Sequence, residues 1–189
     1  MRKTTFAAAA LAAFIGVPAL QAQSGPALKA SYVFNQSKVD DARSSGFDDV
    51  PSPDGFSVGA EFVLPMGIGI GATAYTEGKA TDVNTRSSSF AVVAEANYFA
   101  KLPVIPIRPY AGVHAGIGRY TIEDLSGGAP TSPKIKDSRT QLGYQAGLRW
   151  QLTSMVGIDA QYRHVSDAAS KDQSPDLERN QVLVGVTLF

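Results

Sequence analysis

The residues of this chain best suited to chemistry lie in one short segment, YRHVSD, Tyr162 to Asp167. His164 and Ser166 stand two apart, and on an extended strand residues so spaced share a face. A serine nucleophile needs a base within hydrogen-bond reach and a third group to orient that base. Glu178 has the same parity, at the outer end of the next strand. The rival reading is a histidine at the edge of an apolar environment, which needs no chemistry. His114, the other of the two histidines, falls among glycines on the opposite face of its segment, so the pair does not suggest a metal site. Asp40, Asp41, Asp48, Asp49 and Asp54 crowd one polar stretch. Their spacing matches no calcium loop, and a solvated loop is the simpler reading. GIGIGA, Gly67 to Ala72, lacks the dinucleotide fingerprint spacing and precedes no helix. No metal and no cofactor is expected.

The elements that must position these residues are strands. The chain opens MRKTTFAAAALAAFIGVPALQAQ: two basic residues, an apolar run from Phe6 to Val17, and small Ala22 before a cut. Residues 1–22 read as a secretory signal, too short to span a membrane as a helix, and 23–189 as one domain. The signal holds two of the 17 basic residues and none of the 17 acidic ones, leaving 15 against 17. That balance gives no footing for nucleic acid. With no cysteine there is neither a disulfide framework nor thiolate chemistry.

Beyond the signal the chain alternates with period two. Ser138–Leu152 shows it best: Leu142, Tyr144, Ala146, Leu148, Trp150 and Leu152 oppose Arg139, Gln141, Gly143, Gln145, Gly147, Arg149 and Gln151. The same pattern runs through Leu28–Asn35, Phe56–Leu64, Ile68–Tyr75, Phe90–Tyr98, Ile107–Gly118, Val156–Arg163 and Val182–Leu188, which makes eight strands. Short connections fall at Pro65–Gly67, Lys101–Pro106 and Thr153–Met155. Longer polar ones fall at Val39–Asp54, Leu125–Asp137 and Asp167–Leu177, with a brief one near Thr81–Thr85. Short turns on one side and longer loops on the other are the mark of an up-and-down transmembrane β-barrel.

Alternation does not say which face is inside, but composition does. The polar face is rich in glycine, as a narrow eight-stranded lumen requires. It also carries Lys29, Glu61, Glu95, Arg149, Asp159 and Arg163 in mid-strand. Aromatic residues gather toward the ends of the apolar face, at Tyr32, Phe34, Phe56, Phe90, Tyr98, Tyr144, Trp150 and Tyr162, as interfacial girdles do. Counting from the short turns sets Glu61, Arg149 and Asp159 at similar depth with Lys29 close by. A lumen ion-pair network that includes Glu95 and Arg163 is expected, plugging the bore with side chains rather than leaving an open pore.

Three stretches, RPYAGVHAGIGRY, QLGYQAGLRWQLTSMVGIDAQYRHVSD and LVGVTLF, resemble the outer-membrane β-barrel domain shared by opacity-type surface proteins and the OmpA-like and OmpX-like small barrels. The resemblance implies an all-β, eight-stranded antiparallel barrel in the cell outer membrane with a structural or surface-interaction role. Its implied partners are outer-membrane lipid and lipopolysaccharide, the barrel assembly machinery, and host or phage surface molecules at the loops. Phe189 resembles the residue the assembly machinery reads, although Thr187 stands where an aromatic is usual. The segment HVSDA is similar, more locally, to the lipid A deacylases of the PagL type. That resemblance implies Ser166 as nucleophile, His164 as base and Glu178 as orienter. Asp167 replaces that family's asparagine, and a carboxylate there would repel a developing oxyanion. A non-enzymatic surface barrel is therefore the expectation, and an acyl-ester hydrolase the alternative.

Overall fold

A computed structural model describes residues 24–37, 54–81, 85–102, 105–126, 129–130, 135–169 and 177–189. The expected signal segment, and Asp40, Asp41, Asp48 and Asp49, lie outside them. Eight long strands follow in order: β1 Gly25–Ser37, β2 Gly55–Val63, β3 Ile68–Thr81, β4 Thr85–Phe99, β5 Ile107–Ser126, β6 Ile135–Gln151, β7 Val156–Ala169 and β8 Leu177–Leu188. Each pairs antiparallel with the next, and β8 pairs back onto β1, with Leu28 opposite Leu188 and Ser37 opposite Arg179. The sheet is a closed up-and-down barrel, so no strand keeps an edge. Ala129–Pro130 adds a two-residue bridge to Leu125 and Ser126 at the tip of β5.

The register measures the stagger of the closure. Cross-strand partners lead from Ala27 through Glu61, Gly71, Glu95, His114, Gly143, Val165 and Arg179 back to β1 at Ser37, ten residues along. A stagger of this size accompanies a strand tilt of about 35–45°. Residues level with one another across the barrel are therefore not register partners.

Burial is inverted relative to a water-soluble protein. Leu28 is 59 % exposed and Ile117 70 %, whereas Arg163 and Gln141 are 0 %. All eight aromatic positions of the expected girdles face outward and are exposed. Tyr32 packs edge-on against Phe34 at 4.7 Å and against Phe56 at 5.1 Å between ring centres. The lumen is not wholly polar, since Val33, Val93, Val165, Leu183 and Tyr75 fill space between its charged groups.

Glycine on the lumen face leaves room for long side chains. A Cβ on Gly147 would lie 2.6 Å from the Tyr110 hydroxyl, one on Gly143 2.7 Å from the His114 ring, and one on Gly69 2.8 Å from a Glu61 oxygen. The GIGIGA run is accounted for in this way. Gly67 differs, because it turns β2 into β3 with φ +89° and its amide donates to Leu64 O at 2.9 Å.

Strands reach further at the outer end than alternation indicates. β3 continues from Tyr75 to Thr81, β4 begins at Thr85 rather than Phe90, and β5 and β6 leave only residues 127–134 between them. Hairpin hydrogen bonding persists above the bilayer, where no apolar medium selects one face. The sequence pattern fades there while the ladder does not.

Replacing Val184, outward-facing and midway along β8, with arginine is expected to lower the unfolding free energy by about 2–4 kcal/mol, read by urea titration of the lipid-reconstituted barrel. An unchanged midpoint would mean that hydrocarbon does not cover this face.

Candidate functional site

Among the described residues, the lumen side chains assemble into three groups of ion pairs at successive heights. At the end nearest the short turns, Arg149 on β6 donates Nη1–H to Glu61 of β2 at 2.8 Å and Nε–H to Asp159 of β7 at 2.8 Å. Glu61 also accepts from Asn97 at 2.8 Å, and Asp159 from the Tyr110 hydroxyl at 2.7 Å. The Arg149 guanidinium lies 4.6 Å from the centre of the Phe99 ring, a favourable seat for a cation shielded from water. In the middle, Glu95 of β4 accepts from Lys29 of β1 at 2.7 Å and from Arg163 of β7. Toward the outer end, Arg179 of β8 pairs with Glu77 of β3 at 2.7 Å and with Asp167 of β7 at 2.9 Å. Tyr120 joins this upper group, donating to Asp167 at 2.7 Å and accepting from Gln141 at 2.7 Å.

These side chains are almost wholly withdrawn from solvent. In the lower group their exposure is 0–5 %, and Glu95 and Arg163 stand at 0 and 1 %. Burying one ion unpaired would cost several kcal/mol, so charges at this depth persist only when matched. Glu61–Arg149 links strands on opposite walls, and the other long-range pairs reach three strands across. The pairs thus tie the barrel across its bore as well as neutralising charge.

All six lumen residues expected from sequence face inward, and the structure sorts them into two groups. Lys29 joins Glu95 and Arg163, not the Glu61–Arg149–Asp159 set beside which residue counting had placed it. Its backbone is close in height to Glu61 and Asp159, as counting from the turns has it, and the long lysine side chain reaches across to Glu95 instead. Sequence reasoning missed the upper group of Glu77, Asp167 and Arg179. The signal was present: each keeps the parity of the lumen residues on its own strand, two or more positions past the last clear apolar one. His114 is buried in the lumen with its ring over Gly143. Asp54 serves the barrel rim, accepting from the Tyr32 hydroxyl at 3.1 Å and the Asn35 amide at 3.2 Å. Among the described residues no cluster of three or more metal-ligating side chains is present.

The second candidate lies on the outward face of the β7–β8 hairpin. Ser166 stands opposite Glu178 in the register, and His164 opposite Asn180. His164 Nδ1 is 2.9 Å from Asn180 Oδ1, which also accepts from the Tyr162 hydroxyl at 2.8 Å. The imidazole stacks on Tyr144 with ring centres 4.8 Å apart and planes 24° apart. The structure therefore brings Ser166 beside Glu178 and His164 beside Asn180, and the imidazole nitrogen meant for an orienting carboxylate faces an amide. Phe189 caps the last strand, its amide donating to Met155 O at 2.9 Å and its ring packing toward Gly157.

The outer membrane protein beta-barrel domain family matches residues 6–188. No protein of curated function matches the chain in sequence. Among solved structures, the chain is similar to Neisserial surface protein A, with a TM-score of 0.67 at 17 % identity over 89 % of this chain and 99 % of that one. It is also similar to Ail, the attachment invasion locus protein of Yersinia pestis, with a TM-score of 0.58 at 18 % identity over 88 % and 99 %. Outer membrane protein H of P. aeruginosa gives 0.58 at 14 % identity over 88 % and 100 %. At these identities the likeness is one of fold. Ail has also been solved with the heparin analogue sucrose octasulfate.

Arg149→Met strands Glu61 and Asp159 without the guanidinium that bridges them, and is expected to cost about 3–5 kcal/mol. Arg163→Met leaves Glu95 its lysine partner and is expected to cost less. Urea unfolding of the two variants in the same lipid tests the order, and equal losses would contradict the grouping.

Proposed function

The chain belongs to the outer membrane protein beta-barrel domain family and resides in the cell outer membrane, and we propose that it acts there as a closed structural barrel whose outer loops make surface contacts. The observation that carries the reading is the filling of the bore. Three stacked groups of ion pairs cross it, and valine, leucine and tyrosine side chains occupy the intervals. A lumen so occupied holds side chains in the place of a water column, and the pairs add rigidity that an open channel of this strand number would lack. Ions would have to break buried pairs at three successive heights to cross.

The surface role draws support from the kind of protein that shares the fold. One such protein is Ail, the attachment invasion locus protein, whose structure is also known in complex with the heparin analogue sucrose octasulfate. Lipopolysaccharide around the wall, the barrel assembly machinery at the last strand and Phe189, and host or phage molecules at the outer loops are the partners this reading expects.

The hydrolase alternative requires His164 to take a proton from Ser166 and be oriented by a carboxylate. The engagement of the ring by Asn180 and Tyr144 favours a positioned but non-catalytic histidine.

In planar bilayers the reconstituted chain is expected to show no stable large conductance, and a persistent open level would sink the plugged-lumen reading. Mass analysis of lipid A from cells expressing the wild type and Ser166→Ala is expected to give identical acylation. Loss of one acyl chain only where Ser166 is present would establish the hydrolase instead.

A further inference from the structure

We propose that the middle of the lumen, between His114 and Arg163, is a binding site for a small inorganic anion of the size of chloride. The inference goes beyond the structural role proposed above and needs only the closed barrel.

The three groups of ion pairs are not equivalent in charge. The lower group sets two carboxylates around Arg149, and the upper sets two around Arg179. Each has a further cation beside it. Arg108 stands opposite Arg149 in the register and is partly buried, and Arg139 is buried with its guanidinium 5.7 Å from the centre of the Tyr120 ring. The middle group is the reverse. Lys29 and Arg163 share Glu95, and no second carboxylate of the described residues pairs with either. A buried cation without a full counter-charge carries a heavy desolvation cost.

The unmatched charge can be traced to particular atoms. Arg163 is 0 % exposed and gives Nη2–H to Glu95, while its Nε and Nη1 have no hydrogen-bond partner among the described residues. A guanidinium has five N–H donors and no acceptor, so those two nitrogens can only donate. Two neighbours extend the site. Gln145 is the register partner of Arg163 on β6, and His114 is the register partner of Glu95 on β5. His114 is 3 % exposed, and both of its ring nitrogens, like Oε1 of Gln145, are without a partner among the described residues. In either neutral tautomer the imidazole offers one N–H.

Water would satisfy these N–H groups and leave the charge. A small anion answers both, through charge-assisted bonds that are stronger than neutral ones. Packing sets its size. A Cβ on Gly143 would come within 2.7 Å of the His114 ring, and one on Gly112 within 2.1 Å of the Asn97 side chain. A polyatomic ligand such as a phosphate ester would collide with these walls, whereas a halide needs little more volume than one water molecule.

The test uses the full barrel in phosphocholine micelles at constant pH and ionic strength, with sodium chloride exchanged for sodium gluconate, whose anion is too large for the bore. Chloride is expected to raise the folded-to-unfolded ratio in urea saturably, about tenfold at a concentration about ten times its Kd. The NMR resonance of the Arg163 Nε–H is expected to shift along the same curve, and bromide to substitute for chloride. Arg163→Met is expected to abolish the difference between the two salts. Gln145→Glu, which sets a carboxylate beside Arg163, is expected to abolish it as well while raising stability in gluconate. Equal stability in both salts with no shift at Arg163 would leave these N–H groups to water and overturn the site. A chloride effect undiminished in both variants would mark an adventitious ion only, and would overturn it too.

Discussion

Backbone amides and carbonyls have no partner in hydrocarbon, and the whole architecture answers to that fact. Each unpaired group would cost several kcal/mol, so a strand crossing a bilayer must be bonded on both sides. The pairing of β8 with β1 satisfies the requirement by closing the sheet. Closure at eight strands then sets a narrow bore, and the ten-residue stagger sets the tilt. Every other feature is fitted to that tube: glycine where long side chains need room, Gly67 where β2 must reverse, and aromatic rings where the wall leaves the apolar layer.

The inside of the tube poses the opposite problem to the outside. Its charged side chains are withdrawn from solvent, and share the space with valine, leucine and tyrosine. Charges are admitted in paired sets, each with two ions of one sign around one of the other: Arg149 between Glu61 and Asp159, Glu95 between Lys29 and Arg163, Arg179 between Glu77 and Asp167. Four of the six pairs join strands three or four apart: Glu61–Arg149, Lys29–Glu95, Arg163–Glu95 and Arg179–Glu77. These contacts can form only once the barrel has closed, so they reward the final topology over partly paired alternatives. The carbonyl–amide ladder makes the wall, and the ion pairs brace it from within.

The outward face of the last hairpin departs from this economy. His164, Ser166, Asn180 and Glu178 are polar residues with the outward parity of their strands. Read as a sequence motif, HVSDA suggests a nucleophile and its base. In the fold His164 is hydrogen-bonded to Asn180, which also accepts from Tyr162, so that Asn180 rather than Glu178 lies against the imidazole. A two-residue spacing tells which residues share a face. It does not tell which member of the adjacent strand lies opposite, and that register decides whether a constellation is catalytic.

Period-two alternation determined the eight strands, and the composition of the two faces determined the lipid face and the inward direction of Lys29, Glu61, Glu95, Arg149, Asp159 and Arg163. A two-sided medium writes itself directly into alternate residues. The outer strand ends escaped this reading because no hydrocarbon there selects an apolar face, and with them went Glu77, Asp167 and Arg179, whose parity alone marked them. The partners of each charge were decided only by the tertiary structure. Which arginine meets which carboxylate depends on the stagger of a closed, tilted sheet, a quantity summed over every strand pair and therefore carried by no single segment of the chain.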